Sequence, residues 1–100
     1  MARSETRDGV GPVLEKSRTS EAIIAAIEQL NEGVTLLDRG AYTRVLVPGI
    51  CRLTRAAVEA FTGEPFRIPA DLEKVMPSFK GRFEASEVVV SWQFVRPVSH

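Results

Sequence analysis

The segment VTLLDRGAYTRVLV, residues 34–47, decides the fold that the sequence predicts. Its two runs Val34–Asp38 and Tyr42–Val47 are rich in β-branched and apolar residues, which is typical of strands. The connection between them, Asp38-Arg39-Gly40-Ala41, fits a hairpin loop. Pro48-Gly49 fits a type II turn, because Gly supplies the positive φ that this turn needs after Pro. We expect Ile50–Leu53 to continue the same sheet.

A helix is predicted on the amino-terminal side of this hairpin, over Thr19–Glu32. Apolar residues there recur at i, i+4 and i+7, which gives a helix one apolar face. Thr19 or Ser20 is expected to cap its start, and Gly33 to end it.

Further helical turns are predicted on the carboxyl-terminal side. A second helix begins after Thr54 as N-cap and closes at Gly63. One or two turns are expected between Pro69 and Pro77, because Pro favours a first helical position and disfavours helix in the residue before it.

Strands are predicted at both ends of the domain. Val10–Leu14 reads as a short extended segment, and Pro12 suggests that it lies at a sheet edge. Near the carboxyl end, residues 79–84 and 88–94 alternate between apolar and polar side chains, which predicts a hairpin with one apolar face. The full order is β-α-β-β-β-α-(α)-β-β, an α+β fold with a largely antiparallel sheet and two main helices. The domain is expected over residues 10–95, between flexible tails at residues 1–9 and 96–100.

The composition argues against several classes of function. The 100 residues carry 13 basic and 13 acidic side chains, so no net field attracts nucleic acid or an anionic membrane. The single cysteine, Cys51, predicts a reducing compartment, the cytoplasm, and is expected to be a small buried residue. The sole histidine is His100, which removes the commonest general base and metal ligand from the domain interior. These features favour a protein that acts by binding, although a cofactor-free enzyme could still use carboxylates, Tyr42 or a lysine.

Charged and aromatic residues leave alternatives open. Arg39, Arg44, Arg52 and Arg55 form either a basic patch or ion pairs with Asp38, Glu59 or Glu84. The strand residues 80–83, Lys-Gly-Arg-Phe, suggest an RNA-recognition-like module that binds single strands, although Phe79 and Phe83 are expected to face the core. A third hypothesis is a small cofactor-free isomerase that uses Asp38 beside Tyr42.

Several motifs together resemble one family: Val10-Gly11-Pro12, LDRGAYTR at residues 37–44, CRLTR at residues 51–55, TGEPF at residues 62–66 and PSFKG at residues 77–81. The chain resembles the small effector, or coupling, proteins of bacterial soluble di-iron multicomponent monooxygenases, especially those of aromatic and alkene monooxygenases. The resemblance extends over about residues 9–94.

The resemblance implies a non-catalytic subunit without a cofactor. Its partner is the di-iron hydroxylase, in a system with a Rieske ferredoxin and an NADH reductase, and it tunes the di-iron centre and couples NADH use to hydroxylation or epoxidation. We expect the hydroxylase contact in three places, chosen for expected exposure and charge. The expected contact residues are Val10, Gly11 and Pro12, then Arg39, Tyr42 and Arg44, then Lys74, Met76 and Ser78.

Overall fold

The computed structural model describes residues 8–96, and in this range seven strands form two antiparallel sheets. The first sheet has the strand order β2-β3-β1-β5 and the second β4-β7-β6. The predicted α+β class with antiparallel pairing is confirmed. The elements are β1 Gly9–Glu15, α1 Arg18–Leu30, β2 Thr35–Asp38, β3 Tyr42–Pro48, β4 Ile50–Thr54, α2 Arg55–Thr62, α3 Ala70–Glu73, β5 Ser78–Lys80, β6 Arg82–Ala85 and β7 Val89–Gln93. The predicted tails lie largely outside the described residues, and β1 begins at Gly9, inside the predicted amino-terminal tail.

β1 is an inner strand, so the prediction that Pro12 marks a sheet edge is wrong. It pairs with β3 on one side, where Val10 lies opposite Val47, and with β5 on the other, where Pro12 lies opposite Phe79. In the pairing between β1 and β3, Gly11 and Pro12 have no partner residues. Proline has no N–H to donate, and the pairing to β5 spans this gap. An interior proline is therefore tolerated here.

The chain crosses from the first sheet to the second at two glycines. Gly49 separates β3 from β4, so Ile50–Leu53 belongs to the second sheet and does not continue the first as predicted. Gly81 separates β5 from β6 in the same way. The predicted single strand over residues 79–84 is thus two strands. Only its second part pairs with β7, as the predicted hairpin requires.

Position 81 requires glycine for two reasons, its backbone conformation and the lack of space for a side chain. Its φ is +108°, which L-residues with a side chain rarely adopt. A Cβ at this position would lie 2.8 Å from Val10 Cγ1 and 3.0 Å from the Gln93 carbonyl oxygen. The crossing between sheets therefore brings the backbone directly against β1 and β7.

Both longer helices have side-chain caps, although one differs from the prediction. The N-cap of α1 is Ser17, whose Oγ accepts from the Ser20 amide, because the helix begins earlier than predicted. Its C-cap is Asn31, so Gly33 lies beyond the helix end. The predicted N-cap of α2 is confirmed, since Thr54 Oγ1 accepts from the Ala57 amide at 3.2 Å. Gly63 ends α2 in the left-handed conformation, as predicted.

The core lies between the sheets and the two longer helices. Its largest fully buried side chains include Trp92, Leu14, Ile23, Ile27 and Leu53. Phe83 contacts Trp92 with ring centroids 5.6 Å apart and packs against this core, as expected. Phe79 contacts Phe83 at 5.3 Å but is 45% exposed, so its predicted burial is wrong. The cause is the crossing at Gly81, which leaves Phe79 on the edge strand β5.

Substitution of Gly81 tests the close approach at the crossing. We expect Gly81→Ala to lower the free energy of unfolding by about 2–4 kcal/mol, because φ strain and steric overlap add. Gly63→Ala is the matched control, since Gly63 also has a positive φ but nothing within 4 Å of a Cβ. It should cost about 1 kcal/mol. Equal losses in urea unfolding would contradict the role of the close approach.

Cys51 should be chemically silent in the folded protein. Its side chain is fully buried, and burial raises the pKa of the thiol to about 12. We expect no reaction with a thiol reagent at pH 8 until denaturant is added. Because the native state retains this proton longer than the unfolded chain, stability should fall as pH rises from about 9 towards 12. Cys51→Ser is the control, because it removes the thiol and with it this contribution to the pH dependence of stability. Rapid labelling of Cys51 in the native protein would refute its assignment as a buried thiol.

Candidate interaction surface

The outward side of the first sheet carries four of the nine predicted contact residues, Arg39, Tyr42, Arg44 and Ser78. Val10 and Leu14 of β1 belong to the core, so Val13 between them faces the opposite side of the sheet. Val13 lies opposite Arg44 on β3 and opposite Ser78 on β5. Residues paired across antiparallel strands project to the same face. Arg44, Val13 and Ser78 therefore form one row across three strands.

These residues surround a recess of about 380 Å³. Its lining consists of Val13, Arg39, Tyr42, Arg44, Pro77 and Ser78. Val13 is only 7% exposed, whereas Arg39, Arg44 and Ser78 are exposed and Tyr42 is 42% exposed. The structure thus joins two places predicted separately, the hairpin and the loop before β5, around an apolar residue.

The hairpin turn is fixed by a small hydrogen-bond network. Asp38 Oδ1 accepts from the Gly40 amide and from Lys16 Nζ, each at 2.8 Å. The Arg39 amide donates to the Tyr42 carbonyl at 2.9 Å. Gly40 has a φ of +84°, which suits the first position of a two-residue hairpin loop. Hydrogen bonds to Asp38 of β2 and to Tyr42 of β3 therefore stabilise the turn that presents Arg39 and Tyr42.

The same network argues against Asp38 as a general base. The hydrogen bond from Lys16, followed by that from the Gly40 amide, lowers the pKa of the Asp38 carboxyl. A general base at neutral pH works best with a pKa near 7. The isomerase hypothesis based on Asp38 and Tyr42 therefore has no support in the geometry.

The four arginines considered together in the sequence do not form one patch. Arg55 pairs with Glu59 at 3.9 Å, and Arg52 lies on β4 in the second sheet. Arg39 and Arg44 remain together at the recess, and neither has an ion pair within residues 8–96. Asp38 is the acidic residue of the hairpin, and it forms its ion pair with Lys16 instead. Glu15 lies opposite Tyr42 and is the acidic residue of this face.

Four predicted contact residues lie in the interior. Val10, Gly11 and Pro12 are buried in β1, and Met76 is only 8% exposed. Their expected exposure is wrong, because pairing to β3 and β5 and packing on the core cover them. Lys74 is exposed but forms an ion pair with Asp71 at 3.4 Å. Sequence reasoning missed Val13 and Pro77, although the alternation around Val10 and Leu14 was a signal for the outward position of Val13.

The outward side of the second sheet is different in character. Its polar groups bond one another: Gln93 Nε2 donates to Glu84 at 3.3 Å and to Ser91 at 3.1 Å, and Arg82 lies 3.6 Å from Glu84. A single-strand nucleic-acid platform needs aromatic rings on an open face. Tyr42 is the one ring that the described strands present on an outward sheet face, so the RNA-recognition hypothesis is not supported.

Within residues 8–96, no group of three or more His, Cys, Asp or Glu side chains is placed to hold a metal ion. No helix in this range is long and apolar enough to cross a membrane.

Comparison with known proteins identifies the family of this chain. Residues 8–93 match the MmoB/DmpM family. The effector subunit of the alkene monooxygenase system of Xanthobacter autotrophicus strain Py2 is 38% identical over 87 residues, 85% of each chain. The chain therefore belongs to the MmoB/DmpM family, which confirms the predicted effector class and the prediction of a non-catalytic component.

A solved structure supports the fold independently. A chain in the structure of a phenol hydroxylase–regulatory protein complex superposes with a TM-score of 0.78, over 87% of this chain and 99% of that chain. The two sequences are 14% identical, so this likeness concerns the fold alone.

Proposed function

We propose that this protein is the effector subunit of a soluble, cytoplasmic di-iron monooxygenase that oxidises an alkene or an aromatic substrate. The observation that carries the proposal is the 38% identity, over 85% of both chains, to an effector subunit of an alkene monooxygenase system. In this proposal its partner is the hydroxylase component, which works with a Rieske ferredoxin and an NADH reductase.

The proposed mode of action is differential binding. An effector without a catalytic site changes its partner's reactivity only when it binds one conformation of that partner more tightly than another. The conformation favoured by the effector would set the geometry of the di-iron centre and link NADH oxidation to product formation.

We propose the recess of the first sheet as the docking site for the hydroxylase. Its centre is formed by Arg39, Tyr42, Arg44 and Ser78 around Val13. Arginine and tyrosine beside a desolvated apolar residue are the composition typical of binding hot spots. The recess also has two arginines without an intramolecular ion pair in the described range, which favours a carboxylate-bearing partner surface.

The function is tested by titrating this protein into a reconstituted system of hydroxylase, ferredoxin and reductase. We expect product formed per NADH consumed to rise and saturate near one effector per active site. The cognate hydroxylase and an alkene or aromatic substrate should be used. Unchanged coupling and rate at saturating protein would refute the effector function.

The docking site is tested by charge reversal. We expect Arg39→Glu combined with Arg44→Glu to weaken hydroxylase binding by at least about tenfold, because both would oppose carboxylates on the partner. The matched control is Arg52→Glu, which reverses another exposed arginine without an ion pair in the described range, on the second sheet. Similar affinities for the control and the double variant would exclude this recess.

A further inference from the structure

The outer edge of β2 is unpaired in the structure of residues 8–96. β2 pairs with β3 alone, through four successive pairs in constant register from Thr35–Leu46 to Asp38–Thr43. It contains no proline, lysine or bulge, three features with which proteins prevent pairing at an edge. The one charged residue of this short strand, Asp38, is paired with Lys16. Leu36 is 40% exposed.

The other three edges are occupied, shorter or more highly charged. On β4, the Asn31 side chain bonds both backbone groups of Arg52, donating to its carbonyl at 2.8 Å and accepting from its amide at 2.9 Å. β5 has only three residues and ends at the Gly81 crossing. β6 carries the charged pair Arg82 and Glu84.

The free backbone groups of β2 can be assigned from its pairing. Hydrogen-bonded and non-hydrogen-bonded pairs alternate in an antiparallel ladder. Because the Arg39 amide donates to Tyr42, Thr35 and Leu37 also bond to β3. Leu36 and Asp38 therefore direct their amides and carbonyls to the open edge. No hydrogen bond within residues 8–96 occupies these groups.

We propose that an extended segment of the hydroxylase pairs with β2 as an added strand and places a carboxylate against Arg39. Such strand addition uses backbone hydrogen bonds for affinity and neighbouring side chains for specificity. Arg39 directly follows β2, lines the recess and has no ion pair in the described range, so its charge favours an acidic residue in the added segment. This inference rests on the proposed function, because the partner is the hydroxylase.

A second copy of this chain fits the edge less well. Pairing two copies through a strand of four residues covers little surface, whereas a specific complex usually buries more than about 1,000 Å². A hydroxylase surface that covers β2 and the adjoining recess together has no such limit, because Arg39 belongs to both.

Hydrogen exchange of the full chain, free and saturated with hydroxylase, tests the inference directly. We expect exchange of the Leu36 and Asp38 amides to slow by at least about tenfold in the complex. The Thr35 and Leu37 amides, already bonded to β3, serve as the internal control and should be protected in both states. A saturated complex in which Leu36 and Asp38 exchange as in the free protein would overturn the inference and leave the effector function intact.

A proline substitution tests the edge by a second route. Leu36→Pro removes an outward amide while the bonds to β3 remain, so we expect about tenfold weaker hydroxylase binding. Leu36→Ala, which retains the amide, should weaken binding by less than about threefold. Ala85→Pro is the matched edge control, since the Ser86 amide bonds Val89 and the Ala85 amide therefore faces the free edge of β6.

The variants must retain the fold, and their self-association must be compared with that of the wild-type chain. Circular dichroism and thermal unfolding check the fold, and light scattering checks self-association. Equal hydroxylase affinity for folded Leu36→Pro and Leu36→Ala would overturn the inference. The inference would also be overturned if the wild-type chain formed a dimer, and if Leu36→Pro abolished this dimer without changing the affinity for the hydroxylase. No binding by the wild-type chain would instead refute the proposed function.

Discussion

The burial of β1 on both faces is the constraint on which the rest of the structure depends. Val10 and Leu14 point into the core, and Val13 points to the outward side of the sheet, where it is also covered. A shift of one residue would exchange these faces and expose two core side chains, each worth about 1.5–3 kcal/mol when fully buried. The register therefore has one favourable value, and both neighbouring strands follow it.

The position of β1 also explains why local features could be predicted and long-range ones could not. The Asp38–Ala41 connection, the Thr54 cap and the Gly63 helix end depend on chemistry within a few residues, and the structure has all three. The edge position of Pro12 and the burial of Phe79 depended on which strands lie beside them. Those neighbours are set by the crossing at Gly81, which alternation along a single predicted strand does not reveal.

The same distinction applies to the interaction surface. Arg39, Tyr42 and Arg44 were predicted together because one hairpin carries them. Their meeting with Ser78 required β1 to lie between β3 and β5, and that is a property of the topology. Topology also decides the exposure of Val10–Pro12: this segment has a glycine and a proline, which are typical of turns, yet it lies in an interior strand.

For a protein that acts by differential binding, the affinity for the partner and the shift in the partner's conformational equilibrium are separate quantities. Moving a partner's two-state equilibrium from 1:99 to 99:1 requires about 5.5 kcal/mol of difference in binding between the two states. Contacts that form equally with both states increase affinity and shift nothing. The turn held by Lys16 and Asp38 fixes the positions of Arg39 and Tyr42, and a fixed surface discriminates between partner conformations better than one that adapts to both. In the proposed effector function, the fixed hairpin would therefore contribute to discrimination between partner conformations, together with the charges that it presents.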